Sequence, residues 1–470
     1  MNNRHTPPGP GGRWGINTLL AFQRDPLTFF SGVRRSYGDI ANVCMLGREI
    51  TLFASPEYAY YFLVENAQSF SSGAGRGILR RFLGEALLTT DGDIHRRQRR
   101  LVQPAFHRKR VESYATAMTA QTQQMLAQWK VGDEVDMSQA LQELTLRIIV
   151  QALFDVDLET QGTALSHLFT TVIESQRPGP IGETLATMNI GPVRQARVAR
   201  DKLDAFVYQL ITQRRAEGRD HGDVLSMLLA ARDEDGAPMS DLQIRDQAMT
   251  LMAAGHETTS NSLAWTFYLL SRNPDKYDKL RAEVANVLGD RPATTADLPQ
   301  LPYLDAVITE ALRIYPPAWT VNRETLEPFD LGGYHFPAGT RAIISQWVIH
   351  HLPEVWGDPE VFRPERWTPE FKQSLPRGAY FPFGAGPRIC IGMPLAEMEA
   401  RLLLATILQR FTPRVVPGWP VEPRPRVTIR MKHGIRMRLD APATPATPTT
   451  PAVAGTLSAT SPATSAWPTP

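Results

Sequence analysis

A glycine-rich loop around one of the two cysteines carries the clearest sign of chemistry in this chain. The loop reads FPFGAGPRICIG, residues 381–392, and a predicted helix begins directly after it. Cys390 therefore lies near free backbone N–H groups, and Arg388 adds positive charge, so both favour a thiolate. Glycines such as Gly384 and Gly392 let the backbone approach a flat molecule. A thiolate beneath a planar ligand suggests haem iron.

An acid and a hydroxyl occupy the middle of an otherwise apolar predicted helix, where residues 253–260 read AAGHETTS. Glu257 and Thr258 are unfavourable there unless they are paired or hydrated. We expect a local opening of the helix in which they pass protons, and a water-filled packing defect is the alternative. His256 followed by an acid is typical of zinc proteases, but Ser260 replaces the second histidine and excludes that class.

A third pattern is EALR, in which Glu310 and Arg313 share one face of a predicted helix. Apolar neighbours predict that the pair is buried, and a buried pair needs further hydrogen bonds. Arg366, in FRPERW, is a candidate third member.

The basic stretch HRRQRRLVQPAFHRKR, residues 95–110, resembles a nucleic-acid or targeting patch when taken alone. No aromatic interleaving accompanies it, so we favour a basic outer surface for an acidic protein partner. The glycines of residues 73–77 follow no clear strand and do not form a dinucleotide-binding fingerprint. We therefore predict that this segment is a glycine loop.

Composition indicates a globular protein: of 470 residues, 43% are hydrophobic and 21% are charged. The net charge of +2 gives no reason to expect nucleic acid as a partner. Two cysteines cannot form a disulfide framework. Cys44 lies in a predicted strand, and we expect it to be a small buried hydrophobe, as is usual for a free cysteine. We find no signal peptide and no apolar run long enough to span a bilayer, and we expect a cytoplasmic protein.

Helical periodicity dominates the chain, with a strand hairpin near residues 40–53 and short strands late in the sequence. We expect a mainly α protein with small β-sheets. Residues 1–15 form a Pro/Gly-rich segment, residues 16–440 a single large domain, and residues 441–470 a disordered Pro/Ala/Thr-rich tail.

Four of these motifs, AGHETT, EALR, FRPERW and FPFGAGPRICIG, appear in order and together resemble the cytochrome P450 family. The last matches that family's haem-binding loop at every fixed position. The resemblance implies the cytochrome P450 fold, haem b, and Cys390 as the thiolate ligand of the iron. Implied cofactor contacts are Phe383, Gly384 and Gly392 near the sulfur, and His95, Arg99, Arg323 and Arg388 at the propionates. His95 stands where many members have tryptophan.

The resemblance also implies roles for the remaining motif residues. Glu257 and Thr258 match the acid–alcohol pair that delivers protons during O2 activation, and Glu310, Arg313 and Arg366 match a buried triad. The implied activity is a monooxygenase that inserts one oxygen atom of O2 into a C–H bond. Its electrons would come from NAD(P)H through a separate ferredoxin or flavodoxin with a reductase, and we expect a monomer. A peroxide-driven hydroxylase, a haem-thiolate isomerase and a non-catalytic haem sensor are the alternatives.

The substrate is expected to be a large apolar molecule, because apolar residues dominate the segments that line the family's pocket. A fatty acid, terpenoid, carotenoid or steroid fits this expectation. The candidate pocket residues are Leu79, Leu251, Ala254, Ala318 and Trp319.

Overall fold

The computed structural model describes residues 6–10, 15–72, 76–158, 161–176, 191–232 and 236–442. Nearly all of the predicted tail, most of the predicted N-terminal segment and part of the glycine loop at 73–77 lie outside the described residues.

Helices make up most of the described chain and are numbered here in chain order. They are α1 (Ile16–Arg24), α2 (Pro26–Tyr37), α3 (Pro56–Tyr60), α4 (Arg76–Leu83), α5 (Gly92–Val102), α6 (Arg108–Ser113), α7 (Ala115–Ala127), α8 (Met137–Phe154), α9 (Gly162–Ser175), α10 (Gly191–Glu217), α11 (Val224–Ala230), α12 (Asp241–Arg272), α13 (Pro274–Leu288), α14 (Pro302–Ile314), α15 (Gln346–Ile349), α16 (Pro353–Trp356), α17 (Pro369–Ser374) and α18 (Met393–Arg410).

The strands within the described residues are short and form four small sheets. They are β1 (Ile40–Met45), β2 (Arg48–Phe53), β3 (Phe70–Ser71), β4 (Glu134–Asp136), β5 (Val321–Thr325), β6 (Phe329–Leu331), β7 (Tyr334–Phe336), β8 (Arg341–Ile344), β9 (Thr412–Val415), β10 (Pro423–Pro425), β11 (Ile429–Met431) and β12 (Arg436–Asp440). The largest sheet has the order β1-β2-β8-β5-β3, in which only β2 and β8 are parallel. The others are β4-β12-β9, β6-β7 and the hairpin β10-β11. The predicted class, mainly α with small sheets, is confirmed.

The predicted hairpin near residues 40–53 is also confirmed. Met45 pairs with Arg48 across a two-residue turn, and both turn residues, Leu46 and Gly47, have positive φ. Such a turn matches the right-handed twist of the paired strands. Cys44 lies in β1 and is half-buried.

Helix α12 crosses the interior and organises the fold around it. A capping box between Ser240 and Gln243 fixes its first turn. The helix packs closely on α8, where the Thr145 hydroxyl donates a hydrogen bond to the backbone oxygen of His256 at 2.9 Å. Buried apolar side chains form one continuous core that reaches from α1 to β12.

The expected opening of this helix is wrong, because α12 continues as α-helix through residues 253–260. Gly255 has a packing role instead: a Cβ there would lie 2.9 Å from the Cδ1 and Cγ1 atoms of Ile149 on α8. The glycine therefore permits close contact between two helices and does not break either of them.

Candidate active site

The cysteine loop is shaped by glycines in the left-handed region. Gly386 has φ 66°, and a Cβ there would lie 1.8 Å from the backbone oxygen of Leu63, so only glycine fits. The Cys390 N–H donates a hydrogen bond to the Phe383 oxygen at 2.9 Å, which closes the loop. Helix α18 then begins at Met393.

The thiol of Cys390 differs from the expectation. Its side chain reaches open space, but the protein packs closely around the rest of it, and this burial raises the pKa of the thiol. The Gly392 and Met393 N–H groups and the charge of Arg99 lower the pKa without outweighing burial. Arg388 is not the charge that acts here. The protein alone therefore keeps a thiol, and a bound metal ion would deprotonate it.

Basic side chains converge beside this loop from three separate parts of the chain. The Arg99 Nη1 donates to the Ile389 oxygen at 2.9 Å, directly before Cys390. Arg388 donates to the Thr90 oxygen at 2.9 Å and pairs with Asp91 at 2.7 Å.

Arg323 and His95 complete this group of basic side chains. Burial, followed by the charge of Arg388, lowers the pKa of Arg323 to about 10 and that of His95 to about 4. Arg323 donates to the Asn322 oxygen, and no carboxylate of the described residues lies within ion-pairing distance of it. A buried cation without a counter-ion fits a cofactor that brings anionic groups, as the two propionates of haem would.

One face of α12 is open in the middle of the protein. Ala254 is exposed and Thr258 is half-exposed one turn later, whereas their neighbours Leu251 and Thr259 are buried. The Thr258 hydroxyl donates to the Ala254 oxygen at 2.7 Å. An exposed alanine within a buried helix marks space for a ligand.

Glu257 points away from that open face. It is 2% exposed, and its Oε1 accepts a hydrogen bond from the Thr428 hydroxyl at 2.5 Å. Arg430 on β11 forms an ion pair with the same oxygen at 3.0 Å. Burial raises the pKa of this carboxyl, and the charge of Arg430 opposes the increase. Sequence reasoning missed Thr428 and Arg430, and the available sign was that a buried acid needs a partner.

The structure brings Glu310, Arg313 and Arg366 together in the interior. Glu310 and Arg313 are fully buried and joined at 2.9 Å, and the Arg366 Nε donates to Glu310 Oε1 at 3.0 Å. Trp367, a fourth member that sequence reasoning missed, donates its indole N–H to Glu310 Oε2 at 2.9 Å. Its position directly after Arg366 was the available sign.

The pocket candidates divide into accessible and buried residues. Leu79, Ala254 and Ala318 retain exposed surface, and Leu251 is nearly covered. Trp319 is 5% exposed, contacts the Phe30 ring and donates its indole N–H to the Arg426 oxygen at 2.9 Å. Trp319 is therefore part of the core.

The basic stretch places its charges on the outer surface. Arg96, Arg97 and Arg100 on α5 and Arg108 and Lys109 on α6 are exposed, while His95 and Arg99 turn inward on α5. We call these five exposed residues the basic face. Among the described helices, none combines the length and the apolar character needed to cross a bilayer.

Comparison with known proteins gives consistent matches across almost the whole chain. The sequence model described as cytochrome P450 matches residues 7–434. Cyclooctatin synthase of Streptomyces melanosporofaciens is 38% identical, over 91% of this chain and 94% of that protein. Pentalenene oxygenase of Streptomyces avermitilis is 34% identical, over 92% and 96%. The solved structure of a retinoic acid bound cyanobacterial CYP120A1 has a TM-score of 0.84 and 28% identity, covering 94% of this chain and 100% of that one.

Proposed function

The chain belongs to the cytochrome P450 family of haem monooxygenases, and from this premise we propose that it oxidises a large apolar terpenoid at a C–H bond. The observation that carries the proposal is the open face of α12 at Ala254 and Thr258, which offers an apolar surface and a single hydroxyl. The proposed reaction consumes O2, places one oxygen atom in the substrate and reduces the other to water with two electrons and two protons.

The residues around the cysteine loop are suited to hold haem. Cys390 is the proposed iron ligand, with Phe383, Gly384 and Gly392 beside it. Arg99, Arg323, Arg388 and the neutral His95 are the proposed partners of the propionates. When bound, thiolate-ligated haem supplies the chemistry that cleaves O2.

The protein's own acid and hydroxyl manage protons at the open face. Thr258 presents its Oγ1 to that face, where it orients a hydrogen-bonded water. Glu257 lies buried one residue away, where burial favours its protonated form and the charge of Arg430 favours the carboxylate, so this residue can take up and release a proton. We propose that this pair limits proton supply to the open face, which favours substrate oxidation over the loss of reducing equivalents.

Two further features support a terpenoid as the substrate. The accessible pocket candidates Leu79, Ala254 and Ala318 are all apolar. The compared relatives from Streptomyces are named cyclooctatin synthase and pentalenene oxygenase, and these names point to cyclic terpenoids.

We also propose that a separate ferredoxin or flavodoxin, served by an NAD(P)H-dependent reductase, supplies the electrons. Acidic proteins of this kind complement the basic face. Helix α5 connects that face to the site, because its inner residue Arg99 contacts the loop at Ile389. A partner docked outside α5 would lie about 10 Å from the cysteine loop, the thickness of one helix.

Spectroscopy of the purified holoprotein tests the cofactor assignment. The reduced protein with CO should show the red-shifted Soret band of thiolate-ligated haem, and Cys390→Ser should lose that band while Cys44→Ser keeps it. A well-folded holoprotein without the band would overturn the assignment of Cys390.

A ligand panel tests the substrate class. Cyclic terpene hydrocarbons and alcohols should produce a type I spectral shift, and turnover with a ferredoxin system should add one oxygen atom from O2. Saturated fatty acids of equal carbon number are the matched comparison. Tighter binding and faster oxidation of the fatty acids would overturn the terpenoid proposal and leave the monooxygenase assignment intact.

A further inference from the structure

Arg430 is a buried cation that contacts carboxylates on two different helices. Its side chain, on β11, is 6% exposed. Its Nε lies 3.0 Å from Oε1 of Glu257 on α12, and its Nη1 lies 3.3 Å from Oε1 of Glu174 on α9. Two acids from separate elements therefore compete for one guanidinium group.

The contact with Glu257 is incomplete. The Arg430 Nε lacks hydrogen-bond alignment, and Oε2 of Glu257 has no hydrogen-bond partner among the described residues. The Thr428 hydroxyl is the aligned donor to Oε1. Charge therefore holds this ion pair more than hydrogen-bond geometry does, and its strength depends on the separation between Arg430 and Glu257.

Glu174 connects the ion pair to the last turn of α9. It is partly exposed and also pairs with Arg424 on β10 at 3.0 Å. Helix α9 lies against α12, where the Phe169 ring centroid is 4.9 Å from that of His256. Any displacement of α9 therefore moves Glu174 relative to Arg430.

We propose that Arg430 is a positioning residue shared between Glu257 and Glu174, so that the placement of α9 sets how strongly Arg430 holds the Glu257 carboxylate. The inference rests on the proposed role of Glu257 in proton supply. It links the movement of a helix at the side of the site to the timing of proton delivery.

The charges that face Glu257 act in opposite directions. Arg430 from β11 lowers the pKa of Glu257, and Glu174 from α9 raises it, while burial is the largest cause of its increase. His256, its neighbour on α12, is fully buried, and desolvation lowers its pKa to about 4, so it is neutral at pH 7. Glu174 is therefore the anion that weakens the hold of Arg430 on Glu257.

Infrared spectroscopy of the ferric, substrate-free holoprotein tests this arrangement. The protonated carboxyl band of Glu257, assigned by its loss in Glu257→Gln, is followed against pH. Glu174→Gln should lower the titration midpoint of Glu257 by about one pH unit, because Arg430 then no longer interacts with a second carboxylate. Arg430→Gln should raise the midpoint, because the charge of Arg430 no longer opposes the effect of burial.

Arg424→Gln is an independent test of the role of Glu174, since Arg424 contacts Glu174 but not Glu257. Without the Arg424 guanidinium, Glu174 interacts more strongly with Arg430. The titration midpoint of Glu257 should therefore rise, but by less than in Arg430→Gln. Glu422→Gln is the matched control, because Glu422 is exposed and pairs with Lys432 next to the same hairpin. It should leave the midpoint unchanged.

The sign of the shift decides between a shared cation and a purely structural residue. An unchanged midpoint in Glu174→Gln, or a rise like that of Arg430→Gln, would overturn the inference. Glu174→Gln lies at a partly exposed site and decides the matter even if Arg430→Gln does not fold. The measurement needs no substrate, so a failed terpenoid panel does not affect it.

Discussion

Two adjacent residues of α12 lie in different surroundings. Glu257 is buried against the β10–β11 hairpin, whereas Thr258 lies on the open face. Successive helix residues differ by about 100° in direction, so the two side chains cannot share one surface. In the proposed function, Glu257 keeps a proton inside the protein, and Thr258 orients the water on the open face that this proton must reach.

Replacing the hydroxyl should separate electron consumption from product formation. We expect Thr258→Ala to consume NAD(P)H at a similar rate but to release several-fold less product, with the difference appearing as hydrogen peroxide. The physical reason is that water on the open face loses its fixed acceptor and donor. The measurement is the ratio of product to NAD(P)H oxidised.

Thr259→Ala is the control for that variant, because Thr259 is buried on another side of the same turn. Thr258→Ser should retain most of the coupling. If Thr258→Ala remains as coupled as the parent, the role of the hydroxyl in proton supply is wrong.

At the residue scale, the sequence predicts local sites better than distant partners. The cysteine loop could be predicted because its glycines, Arg388 and Cys390 lie within one short segment of the sequence. Arg430 and Glu174 were not predicted, because contacts between residues far apart in the sequence leave no spacing pattern. The thiol pKa was also mispredicted, since dipoles and charges are visible in the sequence but the extent of burial is not.

At the scale of elements, helix α18 both ends the cysteine loop and carries a buried acid. Its first turn supplies N–H groups to Cys390. Two turns later Glu399 is 2% exposed, and its Oε1 has no hydrogen-bond partner among the described residues. Burial raises the pKa of this carboxyl well above its usual range.

That acid should destabilise the protein at neutral pH. The folded state keeps the proton of Glu399 while the unfolded state releases it above its ordinary pKa, so stability falls as pH rises from about 4.5. We expect Glu399→Gln to stabilise the holoprotein by about 1–3 kcal/mol at pH 7. The gain should shrink towards zero near pH 4.5, as measured by thermal unfolding at both pH values.

An exposed acid provides the comparison: Glu112→Gln on α6 removes one member of a surface ion pair and should change stability little. A Glu399→Gln variant that is less stable than the parent at pH 7 would show that this carboxyl has a partner in solution.

Element-scale prediction succeeded where periodicity and capping are strong, as in α12 with its Ser240 cap. Prediction from sequence failed where a residue type is required by packing against another element. Gly255 indicated an opening when only its own helix was considered, but its reason is Ile149 on α8. Trp319 was predicted to line the pocket from its apolar segment, and its contacts with Phe30 and Arg426 could not be predicted from that segment.

At the scale of the whole molecule, charge is distributed unevenly although the net charge is only +2. The basic face lies outside α5 and α6, and the inner side of α5 reaches the cysteine loop through Arg99. Long-range steering depends on how charge is distributed over the surface as well as on the net charge. The same helix can therefore attract a partner and contact the cofactor loop.

Reversing two charges of the basic face tests this division of labour. We expect Arg100→Glu with Lys109→Glu to slow reduction by an acidic ferredoxin on the order of tenfold at low salt, because association is steered by charge. The difference in reduction rate between the double variant and the parent should become smaller as the ionic strength is raised, because salt screens the charges. Haem content and the reduced CO spectrum should not change, because both side chains point outward. Lys202→Glu, exposed on α10, makes the same kind of charge change away from α5 and should leave the rate of reduction unaltered. A double variant that is reduced as fast as the parent at every ionic strength would place the electron donor on another surface.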